Sequence, residues 1–583
     1  MISIRIDRQY WLNLRANTEL EVSETSPVFS EKVFEENSVY NFTVPNNPNN
    51  AAIFGHPNRT MALNAPTAKH HIEIFSDNRL KAEGTTYVVK VSGASIEIVS
   101  ALNESSFYAL YGDKKITEFE YDGQLTYIDD YNGNTGSILN VCDGTFPEEK
   151  FAYFPVKNVA LFDGSDWEDG WRNDVLSRQY QNDYIPSSNL YPGYLYRPGR
   201  ISVTPFPYAG YIIEKIFEEC GYTVTYNVFR HDDKLKRLCI YNPNLIFSVG
   251  PNREYFYIQL KNHLPGITVT KLLSAIKTPP FAINYAINEN TKTVEIRTFN
   301  QLNDARDSIE FKDEGSDITE QKSVKYKVHV DSGDSYAQKW QRPDDIEKYR
   351  NRGTYYNITD LSGITFPIEG DIALVLENNY FYQFFAAQDG SMSWEKAFYN
   401  IQNVVVGTGE ITEAPMKFST VFQSVEDIHQ QLTSSDDRWC VPVVEIAGNS
   451  KNKPLQPGML YNEFELKLMF YWGMDTTEDE EFAFPTGSSG IYKAGVDNPG
   501  RYLSLIPNEP YSFIEVYLDR YQYSLTNNRV KKGSSVMSIP KLENLNWLRT
   551  ILLEGRIWLP TKKKYKLRNN GISPVDLELT EVN

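Results

Sequence analysis

The chain has 583 residues, too many for one small module and enough for about three to five domains at roughly 100–200 residues each. Hydrophobic residues at 41% and charged residues at 23% are globular proportions, which argues against wholesale disorder. A net charge of −18 repels a phosphate backbone, so nucleic-acid binding is disfavoured as the main activity.

In chain order, residues 1–150 read as an N-terminal β domain. Ile2, Ile4 and Ile6 share one face of a strand, as do Tyr40, Phe42 and Val44. Ile72 and Ile74 alternate with His71 and Glu73, and Tyr87 to Val99 is broken at Gly93-Ala94. The Pro- and Asn-rich stretch from Val44 to Arg59 predicts an ordered loop, not a strand. Phe119/Tyr121 and Leu125/Tyr127 around Asp122-Gly123 predict a hairpin. Residues 151–206 form an irregular excursion dense in aromatics, Gly and Pro, whose rings suit packing on a neighbour.

Residues 207–330 predict an α+β domain. Pro207 opens a helix with Tyr208, Ile212, Ile213, Ile216 and Phe217 on one stripe, closed by Gly221. Thr270 can cap a second helix carrying Leu272, Leu273 and Ile276, followed by a hairpin of Phe281 to Ile287 and Thr293 to Phe299. Val324 to Val330 alternates as another strand. Residues 331–440 are a mixed β/loop insertion with a short helix near Val425 to Leu432, and residues 441–583 a C-terminal β-rich domain. There Phe464 to Trp472 alternates as a half-buried strand, and Pro485 to Gly500 is a loop. Leu542, Leu545, Leu548 and Leu552 define a late helix, and closing strands lie near Arg556 to Trp558, Lys564 to Leu567 and Leu577 to Val582. The fold class is mainly β with α+β elements: several barrel-like or sandwich domains with short capping helices. The 39 tyrosines agree, since Tyr favours strands and contact surfaces.

Chemistry is sparse. Cys142, Cys220, Cys239 and Cys440 include no C-x-x-C pair and read as buried free thiols. No phosphate-binding glycine loop or G-x-S-x-G elbow occurs. Among seven histidines only His70-His71 adjoin, and on a strand they point to opposite faces, which disfavours a metal site. No catalytic, cofactor or metal residue is assigned, and no cofactor is expected. The best enzyme rival is the cluster Asp163, Asp166, Glu168, Asp169 and Asp174 with Trp167 and Trp171, which could serve a sugar or calcium. The acidic run Asp475, Glu478, Asp479, Glu480 and Glu481 reads as a solvated face. The basic run Lys562, Lys563, Lys564, Lys566 and Arg568 reads as protection of an edge strand. The opening residues Met1 to Asp7 are unlike a signal peptide and no window of 18 apolar residues occurs, so synthesis and folding in a cytoplasm, with no membrane partner, are expected.

Three segments together resemble the baseplate or tail hub proteins of long-tailed bacteriophages and prophages: Ser26 to Arg59, with its N-x-x-I-F-G-like stretch; the helices of Pro207 to Tyr222 and Thr268 to Phe299; and Glu465 to Met474 with the helix and strands that follow. The resemblance implies a hub-like virion protein at the tail tip, assembled with itself as a ring, often a trimer. It implies further tail proteins as partners (tube, spike and fibres) and DNA passing through the lumen without specific binding. The alternatives are a carbohydrate-binding or glycan-degrading tail protein and a tube-to-fibre adaptor elsewhere in the tail.

Overall fold

The computed structural model describes residues 2–16, 18–29, 36–57, 68–76, 79–103, 106–122, 124–127, 141–158, 180–182, 204–244, 255–277, 281–288, 291–304, 306–307, 311–317, 324–328, 346–375, 380–386, 390–399, 404–407, 410–413, 421–424, 440–444, 463–476, 483–488, 503, 511–526, 529–538, 541–542, 545, 547–568 and 571–582. Within them the fold is mainly β, built of several sheets with a few short helices.

The N-terminal strands are β1 (Ile2–Ile6), β2 (Tyr10–Trp11), β3 (Leu20–Thr25), β4 (Glu36–Pro45), β5 (His70–Ser76), β6 (Arg79–Val91) and β7 (Ser95–Asn103). All but β3 form one antiparallel sheet in the order β2-β1-β5-β6-β7-β4. The period of two sends Ile2, Ile4, Ile6, Phe42, Val44, Ile72, Ile74, Ile96 and Ile98 to one face, where they pack with Leu20, Val22 and Phe54. The Pro/Asn stretch is not simply a loop: Pro48–Ile53 is a short helix, with Asn47 accepting from the Asn50 amide. The buried Asn50 amide group fixes it, donating to Asn13 O and Pro45 O and accepting from Asn13 N, each at 2.9 Å.

The expected hairpin at Asp122-Gly123 does not form. Ile116–Glu118 is a 3-10 turn, Phe119 and Tyr121 are drawn into the main core, and Gln124–Tyr127 pairs with the distant strand Tyr255–Ile258. Asp122 is held by the Tyr211 hydroxyl at 3.1 Å and by Lys150 and Lys215. Burial of the two rings has overridden the turn dipeptide.

That main core surrounds the helix Ala209–Glu219, whose Ile212, Ile213, Ile216 and Phe217 are fully buried; Gly221, at φ +82°, ends it. Glu214 on this helix is buried and bridged by Arg230 and the Asn227 amide. The second helix is Val269–Lys277. Its cap is Thr268, which accepts from Lys271 N, whereas the Thr270 hydroxyl donates to Gly112 O. Ile283–Asn288 and Thr293–Thr298 pair as the predicted hairpin, extended by Thr223–Asn227 in parallel.

Two strand readings change. Leu468–Thr476 is buried on both faces through Trp472, with Phe281 against Phe470 on one face and Phe154 over Tyr471 on the other, while Leu238–Ile240 and Ala483–Ser488 pair along its edges. The supposed loop from Pro485 therefore starts as strand. The basic run is not on an edge: Arg556–Arg568 is one strand inside an eight-stranded sheet, continuing past Pro560 through a register shift. There it meets β3, where Lys564 pairs with Glu21, Lys566 and Arg568 with Glu19, and Lys563 with Glu24. The late helix does not extend to Leu552, which belongs to the strand Thr550–Leu553 opposite Ile557; Leu545 N donates to Lys541 O.

Candidate functional site

A smaller four-stranded sheet comprises Asn351–Tyr355, Ile372–Val375, Tyr380–Ala386 and Met392–Tyr399 around Ile372, Phe381 and Phe398. Between its first two strands the chain makes an irregular tip, and this tip is pinned at several points. The Asp371 carboxylate is buried, lies within 4 Å of Arg350 and Arg352, and accepts from Ile368 N at 3.1 Å. Arg352 donates to Thr365 O at 2.7 Å, and Asp360 accepts from Asn357 N at 2.9 Å. Gly370, at φ +90°, places its N–H on Phe384 O.

On this framework Tyr356, Ile358, Phe366 and Ile368 stand in solvent, Phe366 at 89% exposure. Phe366 also has φ +51°, a conformation that costs a non-glycine residue about 1–3 kcal/mol and persists only when its surroundings impose it. Exposed apolar side chains on a pinned backbone are suited to contact with another protein, because the backbone part of their ordering cost is met before binding.

A second surface is the outer face of the N-terminal sheet. Trp11 and Phe75 lie 5.4 Å apart, with the Arg5 guanidinium 5.4 Å and 5.2 Å from their ring centres. Tyr10, Trp11, Tyr87 and Val89 are exposed. His70 and His71 do point to opposite faces: His70 packs against Phe54 and meets Asp7 at 2.8 Å, while His71 faces Glu73 and Glu83.

The aromatic excursion is anchored by a buried polar node. Asn158 donates to the Tyr241 hydroxyl, which donates to Gln181; Gln181 donates to Thr204 and Asn242 O. Asn182 binds Thr204 through both backbone groups, and Asn242 Oδ1 lies 3.3 Å from His263 Nδ1. Burial holds the His263 pKa down, at about 4. The cluster Asp163, Asp166, Trp167, Glu168, Asp169, Trp171 and Asp174 falls outside the described residues, as do Glu478 to Glu481 and the predicted helix near Val425; Asp475 sits in a strand opposite Phe484. Cys142, Cys220 and Cys239 are buried free thiols, and burial pushes the Cys220 thiol up to about 12. No helix among the described residues is long and apolar enough to cross a membrane.

Sequence reasoning missed the tip. Its signal was five apolar residues between Asn357 and Gly370 whose spacing switches from three (Ile358, Leu361, Ile364) to two (Ile364, Phe366, Ile368).

No protein family and no curated protein matches the sequence. Among solved structures, the chain is similar to the 43 kDa tail protein of prophage MuSo2 from Shewanella oneidensis at 7% identity and a TM-score of 0.28, over 99% of this chain and 97% of that one. It is also similar to the tail protein from Neisseria meningitidis MC58 at 8% identity and a TM-score of 0.26, over 100% of this chain and 96% of that one.

Proposed function

We propose that this chain is a structural virion protein of a phage or prophage tail tip, a baseplate or tail hub that forms a ring of three, joins the tail tube to spike or fibres and leaves a passage for DNA. The observation that carries the reading is the pinned apolar tip, with Phe366 and its neighbours held out in solvent. The resemblance of Ser26 to Arg59, Pro207 to Tyr222 and Glu465 to Met474 to hub proteins supplies the kind of assembly. Each fully covered ring of this type is worth about 1.5–3 kcal/mol. The net charge of −18 suits a lumen that DNA crosses without sticking.

Native mass and negative-stain images of the purified chain test this directly. A ring of three with a central opening supports the hub, and six copies move the chain to an adaptor position between tube and fibres. Phe366→Ser should weaken assembly at least tenfold while leaving the melting temperature of the dissociated chain unchanged, because that ring contributes little to the fold of the single chain. A chain that is monomeric at every concentration, or assembly indifferent to Phe366→Ser, overturns the reading of this surface.

A further inference from the structure

On the outer face of the N-terminal sheet three metal-binding side chains converge, and the proposed assembly role does not use them. His71 and Glu73 are two residues apart on β5 and so share a face; Glu83 on β6 is directly opposite Glu73. His71 Nε2 lies 3.9 Å from Glu73 Oε1 and 3.8 Å from Glu83 Oε2, and one ligand atom from each residue lies within 4.8 Å of the other two. Such separations exceed a hydrogen bond. They are close to the spacing of neighbouring ligands around a zinc-like ion, about 3.4 Å when each ligand is about 2.0–2.2 Å from the metal in a tetrahedral arrangement.

A second, independent observation comes from the strand register. Two glutamates directly across from one another form a like-charge pair, which destabilises a sheet unless a positive charge offsets it. Arg5 donates to Glu73 Oε2 only, leaving Oε1 toward His71, and the same guanidinium is committed to the rings of Trp11 and Phe75. The Glu83 side chain is only 15% exposed, and its ion pair among the described residues is with His71. Arg8 Nε donates to His71 Nε2 at 3.4 Å, so that nitrogen presents a lone pair and not a hydrogen. Asp7 fixes the strand here by accepting from His71 N at 2.8 Å.

We propose that His71 Nε2, Glu73 Oε1 and Glu83 Oε2 bind a divalent transition-metal ion of the zinc type. Solvent completes its coordination, and the long, exposed Arg8 hydrogen bond gives way. One imidazole and two carboxylates suit such an ion. The cation offsets the facing glutamates and staples β5 to β6, while Arg5 orients Glu73 from behind.

The test uses the full chain, stripped with EDTA, dialysed against Zn²⁺ and assayed for retained metal by mass spectrometry, with affinity from chelator competition. The expected result is one zinc per chain, lost in His71→Ala and bound at least tenfold more weakly in Glu83→Gln, since even residues that merely orient a ligand change affinity about 10–100-fold. Zinc should raise the melting temperature of the parent chain and not that of His71→Ala. Glu83→Gln keeps the side-chain shape and removes the like-charge pair, so it folds and decides the matter if His71→Ala does not. No retained zinc, or retention equal in the parent and Glu83→Gln, overturns the site.

Discussion

His263 offers the sharpest test of the polar node that holds the excursion. It is fully buried, and its Nδ1 faces Asn242 Oδ1 at 3.3 Å. Removal from water penalises the charged imidazole and brings its pKa from the ordinary 6.5 to about 4. Between those values the unfolded chain binds more protons at this residue than the folded one does. Stability from this group is therefore complete above pH 6.5, falls as pH is lowered toward 4, and levels off below that. At about 1.4 kcal/mol per pH unit, the loss across the window is about 3 kcal/mol. The perturbation is His263→Gln, neutral at every pH. Opening free energies would be read by hydrogen exchange in peptides covering residues 241–244 and 260–264, corrected for intrinsic exchange. We expect the parent to lose about 3 kcal/mol relative to His263→Gln between pH 6.5 and 4, and nothing between 6.5 and 8. A difference between the two proteins that stays constant through pH 5 refutes the account, because it would mean that the imidazole charges in place.

Two further predictions concern packing. A Cβ on Gly487 would come within 2.4–2.5 Å of three atoms of the Phe154 ring, which is confined by Phe206 at 4.7 Å and Tyr471 at 6.1 Å. Gly487→Ala should thus cost about 1–3 kcal/mol, visible as a lower melting temperature, and Phe154→Leu in the same chain should recover part of it; a neutral Gly487→Ala would show that the ring can yield. Lys563→Met removes a buried ammonium that donates to Leu545 O at 2.6 Å and lies 3.8 Å from the centre of the Trp547 ring. Leaving that carbonyl without its donor and losing the cation–π contact should destabilise the sheet by about 2–3 kcal/mol, seen as faster exchange in residues 20–25 and 562–567. Unchanged or slower exchange would mean that dehydrating the ammonium had cancelled both.

Local periodicity carried the sequence reading where partners are near in the chain. The alternation of Ile2, Ile4 and Ile6, the stripe of Ile212, Ile213, Ile216 and Phe217, and the hairpin after Val269–Lys277 all stand as read. Reading failed where a distant partner decides. Asp122-Gly123 has a hairpin's residues, yet Phe119 and Tyr121 gain more in the core than in a strand. Lys562 to Arg568 has the composition of an edge, and the glutamates that pair with it from the neighbouring strand lie hundreds of residues away. The same distinction divides the candidate sites. His71 and Glu73 share a face by spacing alone, whereas Glu83 joins them only through the register of β5 with β6. Around Phe366 the alternation of Ile364, Phe366 and Ile368 reads as a strand, yet no strand forms there, because Asp371 and Arg352 grip the loop backbone.

The pairing of β3 with Arg556–Arg568 also has a consequence in time. Glu24 and the Tyr565 hydroxyl, 2.8 Å apart in the fold, are separated by 541 residues of chain. At about 5–20 residues per second, a ribosome makes the second strand roughly half a minute to two minutes after the first. Throughout that wait β3 lacks the strand it pairs with, and a polysome holds many such strands close together. Glu19, Glu21 and Glu24 give each waiting segment the same negative sign, so neighbouring nascent chains repel one another there. Lys563, Lys564, Lys566 and Arg568 carry the opposite sign and arrive last. The charge pattern that closes the sheet thus also keeps its unfinished half from joining the wrong molecule.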